Sequence, residues 1–102
     1  MPDYFLVRLV NGPAFDSTRA RREQNLWDEH AAFMDELVDD GVVVLGGPIG
    51  DVDTEDVLLV VDVADEAEIR DRLAPDPWAN GILQIDSVRP WTVWLRGAPE
   101  PR

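Results

Sequence analysis

Residues 4–10 read Tyr-Phe-Leu-Val-Arg-Leu-Val, an almost unbroken run of aromatic and branched side chains that ends at Asn11-Gly12-Pro13. Such a run is typical of a β-strand, and its near-continuous apolarity indicates a strand that is covered on both faces. Apolar stretches predict two further strands over 42–45 and 57–63, and a long fourth strand over 82–95.

Two helical stretches separate these strands. The first is expected to begin at one of the capping residues 16–18 and to run to Asp40, since Gly41 stands where a helix-ending glycine belongs. The second is expected to begin at Asp65, with acidic residues in its first turn, and to end near Leu73. The order β-α-β-β-α-β predicts an α+β fold of the ferredoxin-like type, with a four-stranded antiparallel sheet and both helices on one face.

The second face of this sheet is the basis for a prediction about assembly. Two helices can cover one face only, whereas the strands are apolar on both, so we expect a homodimer that packs sheet to sheet. Residues 1–96 are expected to form one domain, and residues 97–102 a flexible, polar C-terminal tail.

Composition narrows the chemistry. The 102 residues include no Cys, one His and nine basic residues, all of them Arg. These counts argue against thiolate and Schiff-base chemistry, a P-loop and a multi-histidine metal site, so we expect no cofactor and no metal. The net charge of -12 argues against nucleic acid and anionic membranes as partners, because their phosphates are repelled. No apolar run spans a bilayer and no signal peptide is visible, so a cytoplasmic location is expected.

The single histidine lies on the apolar side of the first predicted helix. At about 100° per residue, His30 falls at about −60° from Trp27, within the arc of Ala31, Met34 and Leu37. Glu23 lies one heptad before His30 on the same side. One interpretation is a core or dimer-seam histidine with a satisfied hydrogen bond. The other is a general acid/base in a dry cleft, which requires an orienting carboxylate.

Asp76 is the best candidate for that carboxylate. It precedes Pro77, which disfavours helical geometry at Asp76 and holds it in a stiff turn before the fourth strand. Alternatively, Asp76 only caps the turn at Pro77-Trp78.

Four stretches together resemble the YciI-like (YCII-related) family of the dimeric α/β-barrel superfamily. They are Trp27-Asp28-Glu29-His30-Ala31-Ala32-Phe33-Met34, Val44-Leu45-Gly46-Gly47-Pro48-Ile49-Gly50, Asp76-Pro77-Trp78-Ala79 and Val88-Arg89-Pro90-Trp91. The resemblance implies a ferredoxin-like fold, a dimer that closes a barrel, and a cleft in each subunit where His30 meets Asp76. Many members carry Phe where this chain has Trp78, which could narrow the pocket.

The resemblance also implies a kind of chemistry. A relative removes HCl from a chlorinated hydroxyquinol, and a His-Asp pair is its proposed catalytic element. By analogy, we expect His30 and Asp76 to be catalytic in a lyase- or isomerase-like enzyme without a cofactor. The expected substrate-binding residues are Gly46, Gly47, Pro48, Trp78, Trp27 and Glu23.

The glycines 46–47 have two interpretations, an ordinary turn or backbone N–H groups that face a developing oxyanion. Two other functions stay open for the whole chain. One is a non-catalytic metabolite-binding or accessory dimer in which His30 is structural. The other is a metal-assisted site that uses carboxylates and His30.

Overall fold

The structure is a computed structural model that describes residues 2–97. Its helices and strands follow the predicted order, with one short 3-10 helix before the first α-helix and another before the fourth strand. They are β1 (Tyr4–Asn11), a 3-10 helix (Arg21–Glu23), α1 (Trp27–Asp39), β2 (Val43–Pro48), β3 (Val57–Val61), α2 (Glu66–Leu73), a second 3-10 helix (Pro77–Asn80) and β4 (Leu83–Trp91). The strands form one antiparallel sheet in the order β2-β3-β1-β4, which confirms the α+β, ferredoxin-like prediction.

The first helix begins later than predicted, at Trp27 rather than at residues 16–18. Asp16 does not cap a helix; its side chain accepts hydrogen bonds from the backbone N–H and the hydroxyl of Thr18, which closes a local turn. The Gln24 side chain bonds the backbone of Asp16 and the carbonyl of Arg19, and so holds this segment as a loop. The C-terminal end is as predicted, since Gly41 follows the helix with a φ of 77°.

The second strand extends beyond residue 45, where it was predicted to end, because Gly46, Gly47 and Pro48 also lie in β2. Gly46 pairs with Leu59 and Pro48 with Val57 on β3. Because β2 is an edge strand, a proline at its end costs the sheet no ladder bond on the open side.

The other strand ends also differ from the prediction. β3 ends at Val61 rather than at residue 63, and β4 ends at Trp91 rather than at residue 95. Pro90 lies within β4, which is the other edge strand, where a proline is tolerated. Gly97 lies outside any helix or strand, and residues 98–102 of the predicted tail fall outside the described residues.

The core lies between the two helices and one face of the sheet. Alternate residues of the central strands, such as Val7 and Leu9, are buried there with Leu37 of α1 and Ile69 of α2. None of the helices within residues 2–97 has the length and apolarity to cross a membrane.

The opposite face of the sheet is only partly covered. Arg8 projects there from β1 and pairs with Asp56, 2.7 Å from its Nε, and with Asp86. Apolar side chains beside it remain open: Leu45 is 65% exposed and Trp91 43%. Both helices lie on the other face, so within residues 2–97 this face of the sheet carries no helix.

Candidate active site

His30 lies in the first turn of α1 and is buried, as its place in the apolar arc predicted. Its Nδ1 lies 2.8 Å and 3.0 Å from the two carboxylate oxygens of Asp76, which is also buried. The pairing joins residues 46 positions apart in the chain. The structure therefore brings together the two side chains that were predicted to form a dyad.

Asp76 is held in place by the turn that follows it. Its backbone is extended, with φ −57° and ψ 127°, and Pro77 begins the second 3-10 helix. One carboxylate oxygen also accepts the backbone N–H of Trp78 at 2.9 Å. Asp76 thus caps the turn and faces His30 at once, so the two interpretations of this residue describe one arrangement.

Trp78 stacks on the imidazole. The two rings are nearly parallel, at 5°, with centroids 4.0 Å apart, and Trp78 is fully buried. The indole Nε1 donates a 2.7 Å hydrogen bond to the carbonyl of Asn25, just before α1. Trp27 packs against both rings at a tilt of 49°. The imidazole can therefore neither rotate nor shift without moving a fully packed ring.

A cavity of about 630 Å³ opens beside His30, between α1 and the sheet. It holds five of the predicted binding residues, namely Trp27, Gly46, Gly47, Pro48 and Trp78. The rest of the wall is largely aliphatic, with Leu9, Met34, Val38, Val43, Val52, Val57, Leu59 and Leu83. Asp76 is not part of this wall. Because Asp76 occupies Nδ1, Nε2 is the imidazole nitrogen left to face a ligand.

This combination of fold, dyad and apolar cavity agrees with a family comparison. The family model for the YCII-related domain matches residues 7–92 of the 102. The chain belongs to the YCII-related family. No curated protein matches it closely enough to count as a relative.

One predicted binding residue of this YCII-related domain lies away from the cavity. Glu23 is exposed, in the first 3-10 helix, and does not belong to the cavity wall. The heptad spacing to His30 assumed one continuous helix, but residues 24–26 interrupt it, and Leu26 has a left-handed backbone with a φ of 63°. Glu23 therefore does not share the helical face of His30.

The two glycines of β2 differ in their surroundings. A Cβ on Gly46 would lie 2.6 Å from Cδ2 of the buried Leu59 and 3.0 Å from the carbonyl oxygen of Leu58, whereas a Cβ on Gly47 would meet nothing within 4 Å. Gly46 therefore allows β2 and Leu59 to approach closely at the cavity wall.

Two arginines of the cavity wall were missed by sequence reasoning. Arg21 and Arg22 were assigned to the polar beginning of a longer helix, and nothing in their spacing marked them. In the structure Arg21 is buried, and burial lowers the pKa of its guanidinium. Arg22 is exposed and lies over the Trp27 ring.

A metal site was the third possibility. Among residues 2–97, no group of three or more His, Cys, Asp or Glu side chains is placed so that it could hold a metal ion.

Proposed function

We propose that this chain is a small-molecule enzyme of the YciI-like type that transfers protons without a cofactor. His30 is the general acid/base and Asp76 is the residue that orients it. The observation that carries the proposal is the buried His30–Asp76 pair, with His30 Nδ1 2.8 Å from Asp76 Oδ1 and with His30 at the wall of an apolar cavity large enough for a small compound. The reaction is an elimination, such as loss of HCl, or an isomerisation.

The arrangement of the pair supports a definite direction of proton movement. With Asp76 accepting the Nδ1–H, the lone pair of Nε2 takes a proton from a substrate carbon or oxygen. The imidazolium that forms is stabilised by the Asp76 carboxylate, and both side chains are buried. In an elimination, the electron pair of the broken C–H bond forms the new double bond and the leaving group departs as an anion. In an isomerisation, His30 returns the proton to another carbon.

The size of the required effect is modest. General acid/base catalysis of this kind typically contributes about 10²–10⁴-fold, which corresponds to roughly 3–5 kcal/mol of barrier. The stack of Trp78 on His30 supports this by fixing the plane of the ring, so that orientation is not lost between turnovers.

The proposal is tested by measuring the exchange of carbon-bound protons of small ketones and phenols for deuterium in D₂O by NMR. Wild-type protein is expected to accelerate exchange in at least one compound, and His30→Gln to lose about 10²-fold or more of that acceleration. Glu29→Gln, a change at an exposed neighbour on α1, serves as the matched control and is expected to retain it. Retained exchange in a folded His30→Gln protein would refute the catalytic role.

A second candidate function is a non-catalytic metabolite-binding or accessory protein in which His30 is structural. The observation that favours it is the stacking itself, because the His30 side chain is only 10% exposed and is held on both its face and its Nδ1. It predicts that no compound exchanges faster in the presence of wild-type protein and that His30→Gln binds the same small molecules with unchanged affinity.

We further propose that a second copy of the chain covers the open face of the sheet. The support is the exposed apolar surface at Leu45 and Trp91, on the face opposite both helices. Covering this face would bury the outer side chains of all four strands in a homodimer.

A further inference from the structure

The cavity wall carries two cations in a strongly acidic chain. The net charge is -12, and three of the other arginines, Arg8, Arg70 and Arg72, each lie within 4.0 Å of a carboxylate. Arg21 and Arg22, both on the cavity wall, make no such ion pair with any residue of the described range 2–97. Two arginines of the described range that have no carboxylate partner therefore lie side by side at this cavity.

Arg21 is buried and bonded only to neutral acceptors. Its Nε donates to the carbonyl of Val52 at 2.8 Å, and its two terminal nitrogens donate to Asn11 Oδ1 at 2.8 Å and to the carbonyl of Glu55 at 2.7 Å. A guanidinium has five N–H groups, so two remain for another acceptor. Since desolvation lowers the pKa of Arg21, an anion beside it would offset the burial of its charge.

Arg22 extends this positive charge toward the dyad. Its guanidinium carbon lies 5.8 Å from the ring centre of Trp27, and the Trp27 and His30 ring centres are also 5.8 Å apart. Arg22, Trp27 and His30 all belong to the wall of the same cavity, so one small molecule in it can lie near both the guanidinium and the imidazole.

The carboxylates near the cavity do not cancel this charge by direct contact. Asp53 uses its carboxylate to accept the backbone N–H of Arg21 at 3.1 Å. The charges of Asp53 and Asp56 raise the pKa of the Arg21 guanidinium, but burial has the larger effect and lowers it. Asp35 belongs to the wall but lies exposed on α1. The remaining wall is apolar, so an anionic group has one preferred place to bind.

We propose that Arg21 and Arg22 form an anion-binding subsite of this cavity, and that the substrate is a small organic carboxylate with a planar or apolar body. The carboxylate binds at the two guanidinium groups, and the body lies against Trp27 with its reacting atom toward His30. This assignment rests on the proposed function, because it takes the cavity beside the dyad as the substrate site. Charge-assisted hydrogen bonds of this kind select an anion over a neutral isostere.

The test compares benzoate with its neutral isostere benzamide, followed by the NMR signals of the indole N–H groups. Trp27 and Trp78 report on the cavity, whereas Trp91 and Trp94 lie outside its wall and serve as internal references. Benzoate is expected to shift the Trp27 signal and to bind about tenfold more tightly than benzamide, which is a difference of about 1.4 kcal/mol.

Three variants assign the effect to the subsite. Arg22→Gln is expected to weaken benzoate binding about tenfold and to leave benzamide binding unchanged, while Arg22→Lys retains most of the benzoate affinity because it keeps the charge. Arg19→Gln removes an exposed arginine that is not part of the wall, and is expected to match wild type. Arg22 is used for the test because the exposed side chain can be changed without unfolding the loop that Arg21 holds.

The outcomes separate this proposal from the one on which it rests. If benzamide and benzoate shift the Trp27 signal with equal affinity, the cavity binds ligands but the anion subsite is wrong. The subsite is also wrong if Arg22→Gln and Arg19→Gln weaken benzoate binding equally, since the effect is then one of overall charge. If neither compound shifts Trp27 or Trp78, both the subsite and the use of this cavity for aromatic substrates are overturned. The role of His30 in proton transfer is tested separately, by proton exchange in the His30→Gln variant.

Discussion

At the residue scale, Leu26 is the point at which the backbone is strained to build the site. It precedes α1 with φ 63° and ψ 24°, a left-handed conformation that side chains other than glycine and asparagine rarely adopt. Its carbonyl accepts the backbone N–H of His30 at 2.9 Å, and the carbonyl of its neighbour Asn25 accepts the Trp78 indole. The strain therefore lies at the turn that positions the two stacked rings, those of His30 and Trp78.

Replacing Leu26 with glycine is expected to stabilise the protein. Glycine adopts positive φ without steric cost, and the Leu26 side chain is 46% exposed, so little packing is lost. We expect a gain of about 0.5–1 kcal/mol in the free energy of unfolding, measured by urea denaturation. Leu26→Ala, which keeps the strain, is the control and is expected to give no gain. Equal stabilities for the two variants would show that the left-handed backbone carries no strain.

At the element scale, the shape of the cavity depends on two contacts: one between the segment before α1 and the β2–β3 connection, and one between β2 and β3. Arg21 joins the segment before α1 to the β2–β3 connection, since its guanidinium bonds the carbonyls of Val52 and Glu55. On the facing wall, β2 approaches β3 closely at Gly46. Each contact can be removed singly, so each leads to a separate prediction.

Arg21→Met is expected to loosen the β2–β3 connection. It removes three hydrogen bonds made by a charged donor and leaves two backbone carbonyls partly buried without their partner, which we expect to cost about 2–4 kcal/mol of unfolding free energy. Amide hydrogen exchange at residues 50–56 should accelerate in the variant, and Arg19→Met should leave it unchanged. Protection of residues 50–56 at the wild-type level would show that the connection is held by other contacts.

Gly46 and Gly47 form a matched pair for testing the packing of β2. Gly46→Ala forces the buried Leu59 side chain to move, and overpacking of this kind typically costs about 1–3 kcal/mol. Gly47→Ala places its methyl group in open space and is expected to change stability by less than about 0.5 kcal/mol. Thermal unfolding measures the stability of both variants. Similar losses of stability in the two would contradict the close packing of Gly46 against Leu59.

At the scale of the whole molecule, the open face of the sheet decides the assembly. Wild-type protein is expected to sediment at twice the 11.5 kDa chain mass. Leu45→Glu places a charge on the open apolar face at the edge strand β2 and should convert the protein to monomers, because burying an unpaired charge in the interface is costly. Val52→Glu, at a residue that is 56% exposed but lies in the β2–β3 connection, is the control. A monomeric wild type would refute the dimer.

The sequence by itself determined the order of the elements, the burial of His30 and the extended turn at Asp76. These features follow from local rules, namely the period of apolar residues along one helix or strand and the restriction that proline places on the residue before it. They sufficed to predict the fold class and to single out His30 and Asp76 as candidates, whereas the expectation that the two side chains meet came from the family resemblance.

Only the tertiary structure decided where α1 begins, that Trp78 stacks on His30, and that Arg21 lies buried in the cavity wall. The start of α1 is set by side-chain hydrogen bonds of Gln24 to the backbone of Asp16 and Arg19, which helical periodicity does not describe. The stack and the buried arginine depend on contacts between residues distant in the chain, such as Trp78 with Asn25 or Arg21 with Glu55, at separations of 53 and 34 positions. Helical periodicity carries no information about such pairs, because their energy comes from packing and hydrogen bonds that exist only once the sheet has brought the segments together.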